Sequence, residues 1–191
     1  LADKTIDGKS SDRALHTLIF DDPECRPFYY KNGKSFKDYH KEGEIFWHKY
    51  VTYTEGMSDY WDYSFFNVSV IRYADVLLLY AECLNDKGET TEAINIINKV
   101  RARVNVPALP LTMSKAEVLK HLQDKERPCE LALEGSRWYD LVRWGIVEET
   151  LKAHNKPFVE NYVDTKHQLF PIPHSEFLLN PDWEQNPNYS K

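Results

Sequence analysis

Apolar residues recur at helical spacing along one stretch in the middle of the chain. Between Val70 and Lys87, leucine and alanine return every three or four residues, and further apolar residues cover most of the remaining circumference. The main stripe consists of Ala74, Leu77, Leu78, Ala81 and Leu84. The pattern predicts a helix that ends at Gly88 and is buried by its neighbours on nearly every side. Charged residues interrupt it, so it is not a membrane span.

Two further helices are predicted downstream of this one. The second runs from about Thr91 to Asn105, where either Thr90 or Thr91 caps its start and two prolines follow its end. A short turn joins the first two helices, so we expect them to pack antiparallel as a helical hairpin. The third helix begins at Ser114, which has the capping-box spacing to Glu117.

The segment from Glu126 to Gly145 mixes acidic and basic groups with large apolar side chains. Glu126, Glu130 and Glu134 are four residues apart, which predicts that they share one face of a helix. Pro128 lacks an N–H group, so we expect a kink or a new helix start there, with the proline in the first turn. Such a segment is either a catalytic carboxylate site or a set of buried ion pairs.

The spacing favours the ion pairs. The two carboxyls of a glycosidase flank the sugar, whereas carboxylates on one helix face point the same way. Nearby arginines lower a carboxyl pKa, whereas a general acid needs a raised one. We therefore predict structural ion pairs and no catalytic residue. The predicted ion-pair residues are Arg72, Asp75, Glu126, Arg127, Glu130, Glu134, Arg137, Asp140 and Arg143.

The first third of the chain is aromatic and irregular. Residues 1–66 show no sustained helical period, which predicts loops with short strands or turns. Of the 26 aromatic residues, 14 lie between Phe28 and Phe66. Flat rings with polar neighbours suit stacking on sugars. For any single ring, packing of a loop against the helices is the favoured role, but we expect the cluster to contain at least one exposed ring that binds a sugar. The predicted ligand-binding residues are Trp47, Tyr53, Tyr60, Trp61 and Tyr63.

Composition limits the partners, metals and cofactors that the chain is expected to bind. The net charge of −6 argues against nucleic acid as the main partner. The histidines are dispersed, and neither a nucleophile elbow nor a phosphate-binding glycine loop is present, so we predict no metal and no cofactor. Three cysteines do not make a disulfide framework, and Cys83 and Cys129 fit small buried apolar positions. The chain begins with Leu1, so we expect a trimmed chain or a fragment.

Four blocks between residues 70 and 189 together resemble the SusD/RagB family. Each block alone is a weak match to the family, but the occurrence of all four in the family's order is a specific one. They are Arg72-Tyr73-Ala74-Asp75 to Glu82, Ala93-Ile94 to Arg103, Glu126-Arg127 to Asp140-Leu141-Val142-Arg143-Trp144-Gly145, and Phe170-Pro171-Ile172-Pro173 with Asn180-Pro181 and Gln185-Asn186-Pro187.

The resemblance implies a fold and a role. The family consists of lipoproteins on the outer surface of Bacteroidetes cells, which act as lids over TonB-dependent transporters and bind glycans or other nutrients for import. They are not enzymes. The implied fold is all-α, with tetratricopeptide-like helical hairpins and extensive loops. The chain matches only the C-terminal part of the family, so we expect the lipid anchor to lie on an absent N-terminal part, with no other membrane contact.

Taken together, the sequence predicts an aromatic-rich loop region at 1–69 and a SusD/RagB-like helical region with a docked tail at 70–191. We expect a glycan ligand and a SusC-like TonB-dependent transporter as partners, at the extracellular face of the outer membrane. Two alternatives remain open. One is a helical-repeat scaffold that binds only protein, and the other is a glycoside hydrolase.

Overall fold

A computed structural model of the chain describes residues 3–22, 25, 35–50, 67 and 69–190. These residues fold into two compact units, Leu1–Gly135 and Ser136–Lys191. The described residues are mainly helical, as the sequence predicts, and the fold class is all-α. The tetratricopeptide-like detail and the boundary expected after residue 69 stay predictions.

The N-terminal part of the first unit contains one helix that the sequence analysis missed. Helix α1 spans Asp12–Thr17, and the Ser11 side chain caps it by accepting a hydrogen bond from the Ala14 N–H group at 3.2 Å. Six residues are too few to show a helical period, which explains the omission. Strand β1, Leu18–Ile19, follows directly and pairs antiparallel with strand β2, Phe46–Trp47.

The predicted helical hairpin is confirmed and contains the core of the first unit. Helix α2 spans Tyr73–Asp86 and helix α3 spans Thr90–Arg103, joined by three residues. Gly88 has φ of +89°, a conformation in which glycine avoids the cost of a side chain. Apolar side chains of both helices pack together with two from the following segment, and the buried set is Leu78, Ala81, Leu84, Ala93, Ile94, Ile96, Ile97, Val100, Val118 and Leu122.

Three details of the hairpin differ from the prediction. Helix α2 is not buried on nearly every side, since Tyr73, Val76 and Tyr80 are exposed along one stripe. Cys83 lies on the same stripe and is exposed, whereas Cys129 is buried as expected. The residue that precedes α3 as its cap is Glu89, without a side-chain capping bond, so neither threonine caps the helix.

Helix α4, Lys115–His121, begins at the predicted capping box of Ser114 and Glu117. It runs into a π-helical segment, Leu122–Glu126, and then into the short helix α5, Arg127–Glu130. Pro128 lies in the first turn of α5, as predicted. Because proline has no N–H group, it cannot donate a hydrogen bond to the preceding turn. The wider π-helical turn before α5 allows the helix to continue in the same direction without that bond.

The charged segment is not one continuous helix. The chain turns after Glu130, where Leu133 has a positive φ of 63°, and helix α6 begins only at Arg137. Glu134 lies in this turn, so the prediction that it shares a helix face with Glu126 and Glu130 is wrong. The intervening Leu131-Ala132-Leu133 favours helix by propensity, and tertiary contacts override that preference.

Among the residues described, the second unit contains four α-helices and one 3₁₀ helix, Pro157–Asn161. The α-helices are α6 at Arg137–Trp144, α7 at Val147–Ala153, α8 at Asp164–His167 and α9 at His174–Leu179. Its core is Leu141, Val147 and Leu151, with Trp138 and Tyr162 packed against it. Side chains near the end of the proline-rich tail bond earlier residues of the same unit, since Asn188 Nδ2 donates to Thr165 Oγ1 at 3.1 Å and the Tyr189 hydroxyl donates to the Leu169 carbonyl at 3.1 Å. Gln185 accepts from the Ile172 N–H group at 2.7 Å and donates to its carbonyl at 2.9 Å. The docking of the whole tail stays a prediction.

Candidate functional site

Glu126 lies at the centre of a buried ion-pair network in the first unit. Its side chain is fully buried, and its Oε1 atom accepts a hydrogen bond from Arg13 Nη1 at 2.7 Å. Its Oε2 atom accepts from Arg101 Nη1 at 2.7 Å and from His121 Nε2 at 2.9 Å. An ionised carboxylate only accepts, so the His121 Nε2 atom carries the proton in this bond. Helices α1, α3 and α4 therefore meet at one carboxylate.

Electrostatics keep Glu126 ionised. Burial alone raises the pKa of this carboxyl, but the hydrogen bonds from His121 and Arg13 and the charges of Arg13 and Arg101 outweigh it. The result is a pKa of about 2. The pKa of Arg13 is raised, because the charges of Glu126 and Asp3 outweigh the effect of burial. At neutral pH Glu126 has no proton to donate, which is unsuitable for a general acid.

Glu130 is the second carboxylate of the network and is also buried. Its Oε1 atom accepts from Arg103 Nη2 at 2.6 Å and from Arg72 Nη1 at 3.0 Å. Its Oε2 atom lies 3.5 Å from Arg13 Nη1, so Arg13 bridges Glu126 and Glu130. Three arginines from three separate segments thus surround one carboxylate.

Glu134 is the third carboxylate. Arg72 Nε donates to both of its oxygens, at 3.0 and 2.8 Å, and Lys49 forms an ion pair with Oε1. Lys49 Nζ also donates to the carbonyl of Ala132 at 3.1 Å. Burial raises the pKa of Glu134, but the hydrogen bonds from Arg72 and Lys49 outweigh it and lower the pKa. Arg72 therefore links Glu130 and Glu134, and the turn after α5 is fixed by side chains.

The remaining predicted ion-pair residues occupy three places. Asp75 of α2 lies 2.8 Å from Arg127 Nη1, which joins α2 to α5. Arg143 Nε lies 3.0 Å from Asp140 Oδ1, so these two predicted residues pair with each other inside the second unit. Arg137 is half-buried at the start of α6.

Several members of the network were not found by sequence reasoning. Arg13, Arg101 and Arg103 lie far from the charged segment along the chain, whereas His121 lies only five residues before Glu126. Arg101 and Arg103 lie two residues apart in the last turn of α3. Once α3 is known to pack near α5, this pair of cations indicates that they could bind the carboxylates of the charged segment. Arg13 gave no signal, because the helix that positions it was itself missed.

A cleft of about 380 Å³ lies beside the network in the first unit. The side chain of Arg103 is 57% exposed there, compared with 27% for Arg72 and 20% for Lys49. The cleft is lined by Asp12, Arg13, His16, Thr17, Lys49, Arg72, Arg103, Val104 and Glu130. The charged network is therefore partly open to ligands at its edge, although its central carboxylates are buried.

The predicted ligand-binding rings are only partly placed. Trp47 is in β2, opposite Leu18, and is 48% exposed. The neighbouring Tyr50 is also exposed, with Lys49 Nζ 5.8 Å from its ring centroid. Tyr53, Tyr60, Trp61 and Tyr63 lie outside the described residues.

Two features are absent from the described ranges. They contain no group of three or more His, Cys, Asp or Glu side chains arranged to hold a metal ion. None of the helices in the same ranges is long and apolar enough to cross a membrane.

Comparison with curated proteins gives relatives of one type. The chain is 37% identical over 130 residues to SusD-like protein P38 of Formosa agariphila, a match that covers 64% of this chain and 25% of that protein. It is 31% identical over 131 residues to SusD-like protein P2 of the same organism, covering 64% and 26%. The match therefore spans about a quarter of the length of these relatives.

Comparison with solved structures gives the same result. A SusD superfamily protein from Bacteroides vulgatus superposes with a TM-score of 0.77 at 29% identity, covering 98% of this chain and 41% of that one. A SusD homolog from Bacteroides thetaiotaomicron superposes with a TM-score of 0.53 at 35% identity, covering 62% and 26%. The sequence pattern of the SusD family matches residues 27–189. The chain belongs to the SusD family.

Proposed function

We propose that this chain is part of a cell-surface protein that binds a glycan, or another nutrient, and delivers it to a TonB-dependent outer-membrane transporter. The observation that supports this most is the family match over residues 27–189. The exposed aromatic and polar residues of the first unit are consistent with a binding surface. We further propose a location at the extracellular face of the outer membrane, reached through a lipid anchor outside this sequence, and a SusC-like transporter as partner.

We propose that the protein acts by binding and not by catalysis. The carboxylates that suggest a glycosidase at first sight are occupied by cations, since Glu126, Glu130 and Glu134 each accept from at least two of them. A general acid needs a raised pKa, whereas the pKa values of Glu126 and Glu134 are lowered. This supports a structural role for Glu126, Glu130 and Glu134, and we propose the same role for the other six predicted ion-pair residues.

The binding surface that we propose includes Trp47, together with Tyr53, Tyr60, Trp61 and Tyr63 from the sequence analysis. An indole ring that is half exposed offers an apolar face to a sugar ring while its N–H group bonds a hydroxyl. Trp47 also lies within a few residues of Lys49, which belongs to the edge of the cleft.

The test compares two tryptophans of equal exposure. Trp47→Ala should weaken binding in a screen of neutral and acidic polysaccharides by roughly threefold to tenfold, the range expected for one aromatic contact. Trp183→Ala is the matched control, because Trp183 is 49% exposed but belongs to the second unit. Equal losses for both variants would contradict the assignment of Trp47.

Binding and turnover assays on the wild-type protein distinguish the proposed function from the two alternatives, a protein-only scaffold and a glycoside hydrolase. Capture of a SusC-like transporter without binding of any polysaccharide would favour a protein-only scaffold. Release of reducing sugars from a bound polysaccharide would favour a glycoside hydrolase. Neither result is expected, because the proposal requires polysaccharide binding without turnover.

A further inference from the structure

We infer that the cleft beside α1 and α3 binds an acidic group of the ligand, a carboxylate or sulfate carried on a sugar. This inference rests on the binding role proposed above and adds the chemical class of the ligand. It starts from the charges that line the cleft. Among the described lining residues four are cationic, compared with two acidic ones, Asp12 and Glu130. Arg13, Lys49 and Arg72 are compensated by Glu126 and Glu134 behind the lining, so the cleft offers an anion a set of N–H donors, of which those of Arg103 are the most exposed.

One of the two acidic groups is already neutralised. Glu130 contacts Arg13, Arg72 and Arg103 at 3.5 Å or less. Its negative charge is therefore shared among three cations, and this pairing weakens both its repulsion of an anion and their attraction for one. Arg103, whose side chain is 57% exposed, is the cation that remains most accessible to a ligand. Asp12 is the acidic lining residue that remains, and it is exposed, so solvent screens its charge.

The cations of the cleft are held in position before any ligand arrives. Arg103 Nη2 is fixed by the buried Glu130 at 2.6 Å, which uses one of the five N–H donors of the guanidinium. Lys49 and Arg72 are fixed in the same way by Glu134. Side chains that are already ordered lose less entropy on binding.

The donor geometry and the size of the cleft define the ligand. A guanidinium presents a planar fork that matches a carboxylate or a sulfate with two parallel hydrogen bonds. The volume of about 380 Å³ is in the range of small-molecule sites. The described lining residues include no tryptophan, tyrosine or phenylalanine, so recognition in this cleft depends on charge and hydrogen bonds and not on stacking.

The test measures binding of three probes to the 191-residue chain by calorimetry. The probes are a uronic-acid trisaccharide, the same trisaccharide with its carboxylates reduced to alcohols, and inorganic sulfate. The wild-type chain should bind the acidic trisaccharide at least tenfold more tightly than the reduced one, and the preference should fall as salt is added. Inorganic sulfate should compete with the acidic trisaccharide.

Three variants locate the effect. Arg103→Gln should weaken binding of the acidic trisaccharide about tenfold and leave the reduced one unchanged. Asp12→Asn should strengthen binding of the acidic probe, because it removes the opposing charge. Lys99→Gln is the matched control, since it removes the same charge as Arg103→Gln from an exposed position on the same helix. Thermal unfolding of each variant checks that the fold is retained, which is expected because Glu130 keeps Arg13 and Arg72.

Failure of this inference is distinguishable from failure of the proposed function. Equal affinity of the wild-type chain for both trisaccharides, or equal effects of Arg103→Gln and Lys99→Gln, would overturn the acidic cleft while leaving sugar binding intact. Weaker binding of the acidic probe to Asp12→Asn would also overturn it. If the wild-type chain bound no polysaccharide at all, the proposed function itself would be overturned.

Discussion

Replacing Glu126 by glutamine should destabilise the first unit more than other single changes of charge. The amide keeps the volume of the carboxyl but removes its charge, which leaves Arg13 and Arg101 without their shared anion in a buried site. Removing one partner of a buried pair typically costs about 3–5 kcal/mol. The lowered pKa gives an independent figure. A fall from 4.5 to about 2 corresponds to about 3 kcal/mol. Glu126 is fully buried, so solvent screening does not reduce this figure.

The pH dependence of the effect follows from the direction of the shift. The folded-state pKa of Glu126 is depressed, so its ionised form stabilises the folded chain fully above pH 4.5. The stabilisation is lost as the pH falls from about 4.5 to about 2, where the folded-state carboxyl becomes protonated. The difference in unfolding free energy between wild type and Glu126→Gln should therefore be constant near neutral pH. About half of it should remain at pH 3.

The measurement is urea unfolding followed by circular dichroism at several pH values. Hydrogen exchange of the α2 and α3 amides assigns any loss to the first unit. Glu42→Gln is the control, since Glu42 is exposed in the same unit and its replacement should change stability by no more than about 0.5 kcal/mol. Equal stability of Glu126→Gln and Glu42→Gln at pH 7 would refute the reasoning. So would a difference between wild type and Glu126→Gln that does not shrink toward pH 3.

Three smaller predictions concern packing and the tail. Ile97→Ala should lower the unfolding free energy by about 2–5 kcal/mol, because Ile97 is fully buried in the hairpin core; a smaller loss in urea unfolding would show that the site collapses around the cavity. Asn98→Ala should cost about 1–3 kcal/mol in the same assay, since its amide both donates to and accepts from the main chain of Leu109 at 3.1 and 2.7 Å. Gln185→Ala should raise the proteolysis rate of the tail, because it removes both bonds to Ile172; an unchanged rate would contradict the attachment.

The sequence predicted those helices whose formation depends on residues close together along the chain. The α2–α3 hairpin follows from the spacing of leucine, alanine and isoleucine, and its core contains the residues of that stripe. The start of α4 follows from Ser114 and Glu117, whose side chains bond each other and the main chain at that point. The helix start near Pro128 follows from the missing N–H group of proline. Each of these depends on residues within one turn of the feature.

The turn after α5 could not be predicted in this way. Leu131, Ala132 and Leu133 favour helix, yet Leu133 adopts a positive φ that costs a side-chain-bearing residue about 1–2 kcal/mol. Bonds from distant residues oppose this cost, since Lys49 donates to the Ala132 carbonyl. The cause of the turn is therefore tertiary and leaves no trace in the local pattern.

Sequence reasoning found the acidic half of the candidate site and, among its cations, only Arg72. The carboxylates stand on one short segment and are visible as a spacing. Their cations come from α1, from the segment after β2, from the start of α2 and from the end of α3. No periodicity relates those four places along the chain. The cleft is formed where they converge, so its lining was not accessible to sequence reasoning.

The network also specifies how these segments pack. Buried ion pairs add little net stability compared with apolar groups of the same volume, so stability alone does not account for them. Geometry gives another reason. A sliding of α3 by one turn, about 5 Å, would move Arg101 away from Glu126 and Arg103 away from Glu130 together. Two buried carboxylates would then lose a cation at once. The three-residue connection limits such sliding between α2 and α3, and the two ion pairs oppose it between α3 and the segment that contains Glu126 and Glu130.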